Sequence, residues 1–199
     1  MMKRLSVLAL AAALVALPAA PVIAGWKLVE PNAPVAVGKS AMKVTPSEKW
    51  NRWSVRPVKQ GEVWTRDGTN LNELYFVTGL PAGTTLYRDI QKKERPLPKL
   101  SAKLDLTEIP EFYESSTRLV LNTSVFQMTS VEPAKMGGQD AVKFAFEYSV
   151  EGSPLKRRGV AIGTMVKGQL YLISFLAPAT HFFERDQAEV EKIMASVTF

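Results

Sequence analysis

Leu170-Tyr171-Leu172-Ile173-Ser174-Phe175-Leu176-Ala177 is the stretch whose reading decides the fold. In an extended chain Leu170, Leu172 and Leu176 fall on one face, and Tyr171, Ile173 and Phe175 on the other. A strand that is apolar on both sides needs a layer over each, which places it inside a covered sheet. The residues after it supply one of those layers. Pro178 closes the strand, Thr180 is expected to cap a helix through its hydroxyl, and Glu184 and Asp186 suit the positive end of the helix dipole. Phe183, Val190, Ile193, Met194 and Val197 then recur at helical spacing as one apolar stripe.

Working outward, residues 142–150 alternate without a break. Val142, Phe144, Phe146, Tyr148 and Val150 share one face, while Lys143, Ala145, Glu147 and Ser149 share the other. Gly137-Gly138 before this run signals a tight turn, which makes residues 125–135 its hairpin partner. Gly152-Ser153-Pro154 turns the chain again, and residues 157–167 read as the next strand. That strand is asymmetric: Val160, Ile162, Thr164 and Val166 lie on one side, and Gly159, Ala161, Gly163 and Met165 on the other. Small residues on one face admit another backbone or a shallow ligand groove. Gly159, Ala161 and Gly163 are therefore candidate contact residues.

This ending has a recognisable form. The run from Gly168 to Phe175, a break, then Phe182-Phe183 through Ile193-Met194 to Ser196-Val197-Thr198-Phe199 resembles the C-terminal signature of the PsbP-like and DcrB-like α/β/α sandwich proteins. The resemblance covers roughly the final third of the chain and implies a central antiparallel sheet with helices on both sides. It also implies an exported, non-enzymatic accessory or adaptor protein. No functional residue of those families is carried over.

At the other end, Lys3 and Arg4 precede an apolar run over residues 5–17, and Val22-Ile23-Ala24 forms a small-residue cleavage site. Residues 1–24 read as a signal peptide, and the run is shorter than the ~20 residues of a spanning helix. The expected address is periplasmic or secreted, with no transmembrane segment after cleavage. The absence of cysteine excludes disulfides, thiolate metal sites and a lipid-modified N-terminal Cys. The net charge of +6 over 199 residues includes Lys3 and Arg4 of the leader, so the remainder is only mildly basic. No nucleic-acid module accompanies it.

Residues 25–199 are expected to form a single α+β domain. Its core is a twisted antiparallel sheet of about six to eight strands with helices packed on it. Residues 25–46, with Pro31, Pro34 and Pro46, read as an extended arm that adds to the sheet edge. Residues 49–55 form a strand with Trp53 and Val55 on one side. Residues 62–66 and 71–78 flank the turn dipeptide Asp67-Gly68. Residues 91–103 are a basic, proline-containing loop, and residues 107–121 a helix with Ile109, Phe112, Tyr113, Ser116, Leu119 and Val120 on one stripe.

Chemistry is sparse. His181 is the only histidine, and it lacks a Gly-x-Ser-x-Gly elbow; a hydrolase centred on it ranks last. The Asp67–Glu73 oxygens do not have calcium-loop spacing, and two Ser-x-x-Lys matches lack their companion motifs. No catalytic, metal or cofactor residue is assigned. Two binding readings remain. Lys92, Lys93, Arg95 and Lys99 offer a positive loop to an acidic partner, an envelope protein or other cell-envelope component. Alternatively, Trp50, Trp53 and Trp64 form a stacking platform for envelope glycan or lipid.

Overall fold

The computed structural model describes residues 25–56, 60–89, 91, 93–123, 125–150, 152–153 and 155–199. The leader reading and Lys92 fall outside them. The strands are β1 (Trp26–Val29), β2 (Val35–Ala36), β3 (Lys43–Val44), β4 (Trp50–Trp53), β5 (Gly61–Thr65), β6 (Glu73–Pro81), β7 (Val125–Met136), β8 (Gln139–Ser149), β9 (Lys156–Val166) and β10 (Gln169–Pro178). The helices are α1 (Ile109–Leu121) and α2 (Phe182–Ala195). Eight strands make one antiparallel sheet in the order β1-β4-β5-β6-β10-β9-β8-β7, while β2 and β3 pair separately.

The C-terminal strands follow the chain in a meander. β7, β8, β9 and β10 pair in succession, with Gly137-Gly138 and Lys167-Gly168 at positive φ in the two tight turns. Two-residue hairpins need that backbone conformation because their twist then matches the strands. β6 then returns to pair with β10, Tyr75 opposite Ser174 and Glu73 opposite Leu176. The two-sided strand therefore sits between β6 and β9, near the middle of the sheet.

Each face of β10 is covered. Ile173 and Phe175 pack with Val190, Ile193 and Met194 of α2 in one core, which also takes Val37, Met42 and Val44 from the β2–β3 arm. Leu170, Leu172 and Leu176 pack with Ile109, Phe112 and Tyr113 of α1 in the other, which also takes Leu86 and Leu100 from the segment before the helix. The layering is helix, sheet, helix.

The arm is bound mostly to α2. Glu189 is 3% exposed and accepts from the Ser47 and Glu48 backbone N–H groups at 2.7 and 3.1 Å. Thr45 N donates to Ser196 Oγ at 2.8 Å, and Lys43 bridges Thr198 through both backbone groups. A second set of ties holds the start of α2 to the β5–β6 turn. Buried Asp186 accepts from Arg66 at 2.7 Å and from Asn72 at 2.8 Å. Such charged hydrogen bonds are stronger than neutral ones, which suits a fully buried carboxylate.

Three local expectations change. The residue capping α2 is His181 at φ 64, not Thr180, and no side-chain hydrogen bond caps that end. A 3-10 turn over Leu106–Glu108 precedes α1, with Glu108 Oε2 accepting from Asp105 N at 2.8 Å. Pro110 lies in the first turn of α1, where no N–H partner is lost. Val120 leaves the apolar stripe and is 47% exposed, because the last turn of α1 overhangs an open cleft.

Candidate functional site

One end of the sheet brings together residues from distant parts of the chain. β6 starts there and β10 ends there, so Glu73 stands beside Leu176. β8 ends there and β9 starts there, with Tyr148 opposite Arg157. Glu73, Tyr75, Tyr148 and Leu176 face the C-terminal half of α1, which contributes Thr117, Val120 and Leu121. Val55, Arg56, Tyr87 and Arg88 close the outer side of the resulting 310 Å³ cleft.

Its floor is apolar with a few fixed polar tips. The Tyr75 hydroxyl donates to Glu73 Oε2 at 2.7 Å, and the Tyr75 and Tyr87 rings meet edge to face at 6.5 Å. Tyr87 Oη lies 3.0 Å from Thr117 Oγ1. Burial raises the pKa of the Glu73 carboxyl, against the Tyr75 hydrogen bond and the positive Arg157. Burial likewise pushes the Tyr75, Tyr87 and Tyr148 phenols above their ordinary range, so all three stay neutral donors.

This sets a pH dependence whose sign is fixed. With the native pKa above the unfolded one, the folded protein holds the Glu73 proton more tightly than the unfolded chain. The stability this group contributes is present at low pH and is lost as pH rises through the native pKa. Glu73→Gln is therefore expected to match the parent at acid pH and exceed it above the ordinary glutamate range. Denaturant titrations of both proteins across pH test this, and a difference that is constant with pH contradicts it.

Beyond Tyr87 lies a larger cavity of 730 Å³ that shares Arg56, Tyr87 and Arg88 with the cleft. Lys99, Thr84 and Leu97 line its far side. Among the described residues, Arg56, Arg88 and Lys99 have no carboxylate partner within ion-pair distance, although Asp89 lies on the same wall. Arg95 lies on an adjoining hollow of 290 Å³ that also touches Arg88 and Val120, and it donates to Asn122 Oδ1 at 2.7 Å. Unpaired guanidinium groups beside an apolar slot can hold an anion while an apolar group is buried next to it.

No family model matches the sequence, and a search of curated proteins finds no match. Among solved structures, CyanoP, the cyanobacterial PsbP of Synechocystis sp. PCC 6803, superposes with a TM-score of 0.54 at 13% identity, covering 88% of this chain and 92% of its own. The fold is PsbP-like. LpqN of Mycobacterium tuberculosis, described as involved in cell envelope biogenesis, gives a TM-score of 0.48 at 14% identity, covering 87% of this chain and 90% of its own. No helix among the described residues is long and apolar enough to cross a membrane.

The PsbP-like sandwich sorts the residues singled out from sequence. Lys99 lines the cavity with Arg88 and Arg56, Arg95 lies on the adjoining hollow beside Arg88, and Lys93 is exposed on the same loop. The small-residue face is not an open groove. A Cβ on Gly159 would collide with the Phe146 ring, Ala161 is fully buried, and a Cβ on Gly163 would come 3.0 Å from Ile109 of α1. Those glycines admit neighbouring side chains closely, which is the packing role.

The three tryptophans are also not a platform. Trp50 and Trp64 are fully buried on the α2 side. Trp64 Nε1 donates to Glu62 at 2.7 Å, and Arg52 lies over its ring. Trp53 stands apart from them, stacked on Trp26 at 6.0 Å. His181 is exposed at the start of α2, its ring edge-on to Phe182, and does not line the cleft. Glu73, Tyr75, Tyr87, Arg56 and Arg88 are the residues sequence reasoning missed. The one visible signal was Glu73 two places before Tyr75, a carboxyl on the same face of an otherwise apolar strand.

Proposed function

We propose that this chain is an exported, non-catalytic accessory protein of the cell envelope that engages its partner through the α1 face of the sandwich. The observation that carries the reading is the cavity ringed by Arg56, Arg88 and Lys99, cations without carboxylate partners among the described residues. With three cations against the single carboxylate Asp89, the cavity lining is net positive, which concentrates acidic partners and speeds their capture. The leader-like residues 1–24 support export, and the PsbP-like fold fits an accessory role. The polar residues lining the cleft are three phenols, one carboxyl, a threonine and two guanidinium groups set among apolar side chains, the mixed lining of a small-molecule binding site.

Charge reversal tests this directly. Arg56→Glu, Arg88→Glu and Lys99→Glu together are expected to abolish capture of an acidic partner from envelope extract while leaving the melting temperature nearly unchanged. All three side chains are exposed, and none supports the core. Undiminished capture by the triple variant would remove this face from consideration.

A further inference from the structure

The cleft and the cavity share a wall, and their chemistry differs along their length. The inner part, between the end of α1 and the sheet, is bounded by Tyr75, Val120, Leu121, Tyr148 and Leu176. The outer part carries Arg56, Arg88 and Lys99. Arg56, Tyr87 and Arg88 line both, so the apolar and the cationic parts meet at the same three side chains. A volume of 310 Å³ is in the range of small-molecule sites, which are mostly apolar with a few fixed polar groups.

The polar groups in the inner part restrict what enters. Tyr75 points its proton at Glu73, and the Tyr87 hydroxyl is paired with that of Thr117, so both phenols already have a partner. At the inner end the positive Arg157 is already engaged by Glu73, by the Tyr148 hydroxyl and by Asn70 O at 2.9 Å. An occupant carrying charge must therefore carry it at the outer end, where three cations lack carboxylate partners among the described residues.

We propose that this opening binds an amphiphile with a single apolar chain and one anionic head, the chain lying between α1 and the sheet and the head between Arg56, Arg88 and Lys99. This rests on the reading of the α1 face as the binding face and names its ligand class. Charge complementarity at the mouth and the apolar slot behind it are separate requirements, and each has its own probe.

Calorimetric titration of the protein with decanoate, below its micelle concentration, tests the proposal. The expected result is saturable one-to-one binding. Decyl maltoside has a comparable chain with a neutral head, acetate has the head without the chain, and decanedioate has an anion at both ends. Each is expected to bind at least about tenfold more weakly, the scale of one lost charged hydrogen bond or of an unburied chain. Arg56→Ala with Arg88→Ala is expected to weaken decanoate by about tenfold or more. Val120→Trp, at an exposed position overhanging the slot, is expected to block the chain without disturbing the fold.

Equal affinity for decanoate and decyl maltoside, or binding unchanged by Val120→Trp, would overturn the proposal, since either points to nonspecific detergent uptake. So would no saturable decanoate binding at all. If decanoate fails while the charge-reversed triple variant still loses its envelope partner, the ligand class falls and the binding face stands. If decanoate binds as expected while envelope capture is indifferent to those cations, the ligand class stands and the protein-partner reading falls.

Discussion

Val190→Asp is expected to lower the unfolding free energy by about 4 kcal/mol, the scale of an unpaired charge forced into a packed interior. Val190 is fully buried on α2 and belongs to the core that Ile173 and Phe175 build from the sheet. A helix of 14 residues has little stability of its own in water, so burial of this stripe is what keeps it folded. Against a total stability of about 5–15 kcal/mol, the change takes the domain close to its unfolding threshold. Ala188→Asp, two positions away and exposed, is expected to shift stability by less than about 0.5 kcal/mol. Urea titrations of the two variants check the pair, and similar losses in both would mean that α2 does not seal the sheet.

Asn72→Ala is expected to cost about 2–4 kcal/mol, because several buried polar groups lose their partner in one step. Asn72 is fully buried in the turn before β6. Its Oδ1 accepts from Thr65 Oγ1 at 2.6 Å, from Arg66 N at 2.9 Å and from Asp67 N at 3.2 Å. Its Nδ2 donates to Asp67 at 2.6 Å and to Asp186 at 2.8 Å. Asn72→Asp keeps the acceptor oxygen but places a third carboxylate against Asp67 and Asp186, and is expected to be no better than Ala. A loss below about 1 kcal/mol for Asn72→Ala would show that water readily replaces this network.

The parts of the fold legible in sequence are those whose period is unbroken. β10 was readable because both of its faces are apolar, and α2 because Phe183, Val190, Ile193 and Met194 repeat at helical spacing. The hairpins from β7 to β10 were readable because glycine marks their turns. The tryptophan platform failed on the same geometry. Trp50 and Trp53 are three apart in one strand, so they point to opposite faces, and β4 sends Trp50 into the α2 core while Trp53 stacks on Trp26.

The candidate site was not legible for a different reason. Glu73 meets Leu176 because β6 inserts beside β10, a pairing of segments about a hundred residues apart that no local pattern encodes, and Tyr87 meets Thr117 across thirty residues of chain. The basic loop was visible as composition, yet of its described cations Arg95 and Lys99 line a cavity and Lys93 does not, and their neighbours Arg56 and Arg88 lie in segments without any charge run. The glycine face misled because spacing shows that room exists and not what fills it. Phe146 and Ile109 fill it.

The account depends on β10 being enclosed between two helical layers, and native-state amide hydrogen exchange measures that enclosure residue by residue. The amides of Leu172 to Leu176 are expected to exchange only through global unfolding, while those of the edge strand β1 exchange through local opening many times faster. Exchange of the β10 amides as fast as that of β1 would contradict the layered sandwich and the site built beneath α1.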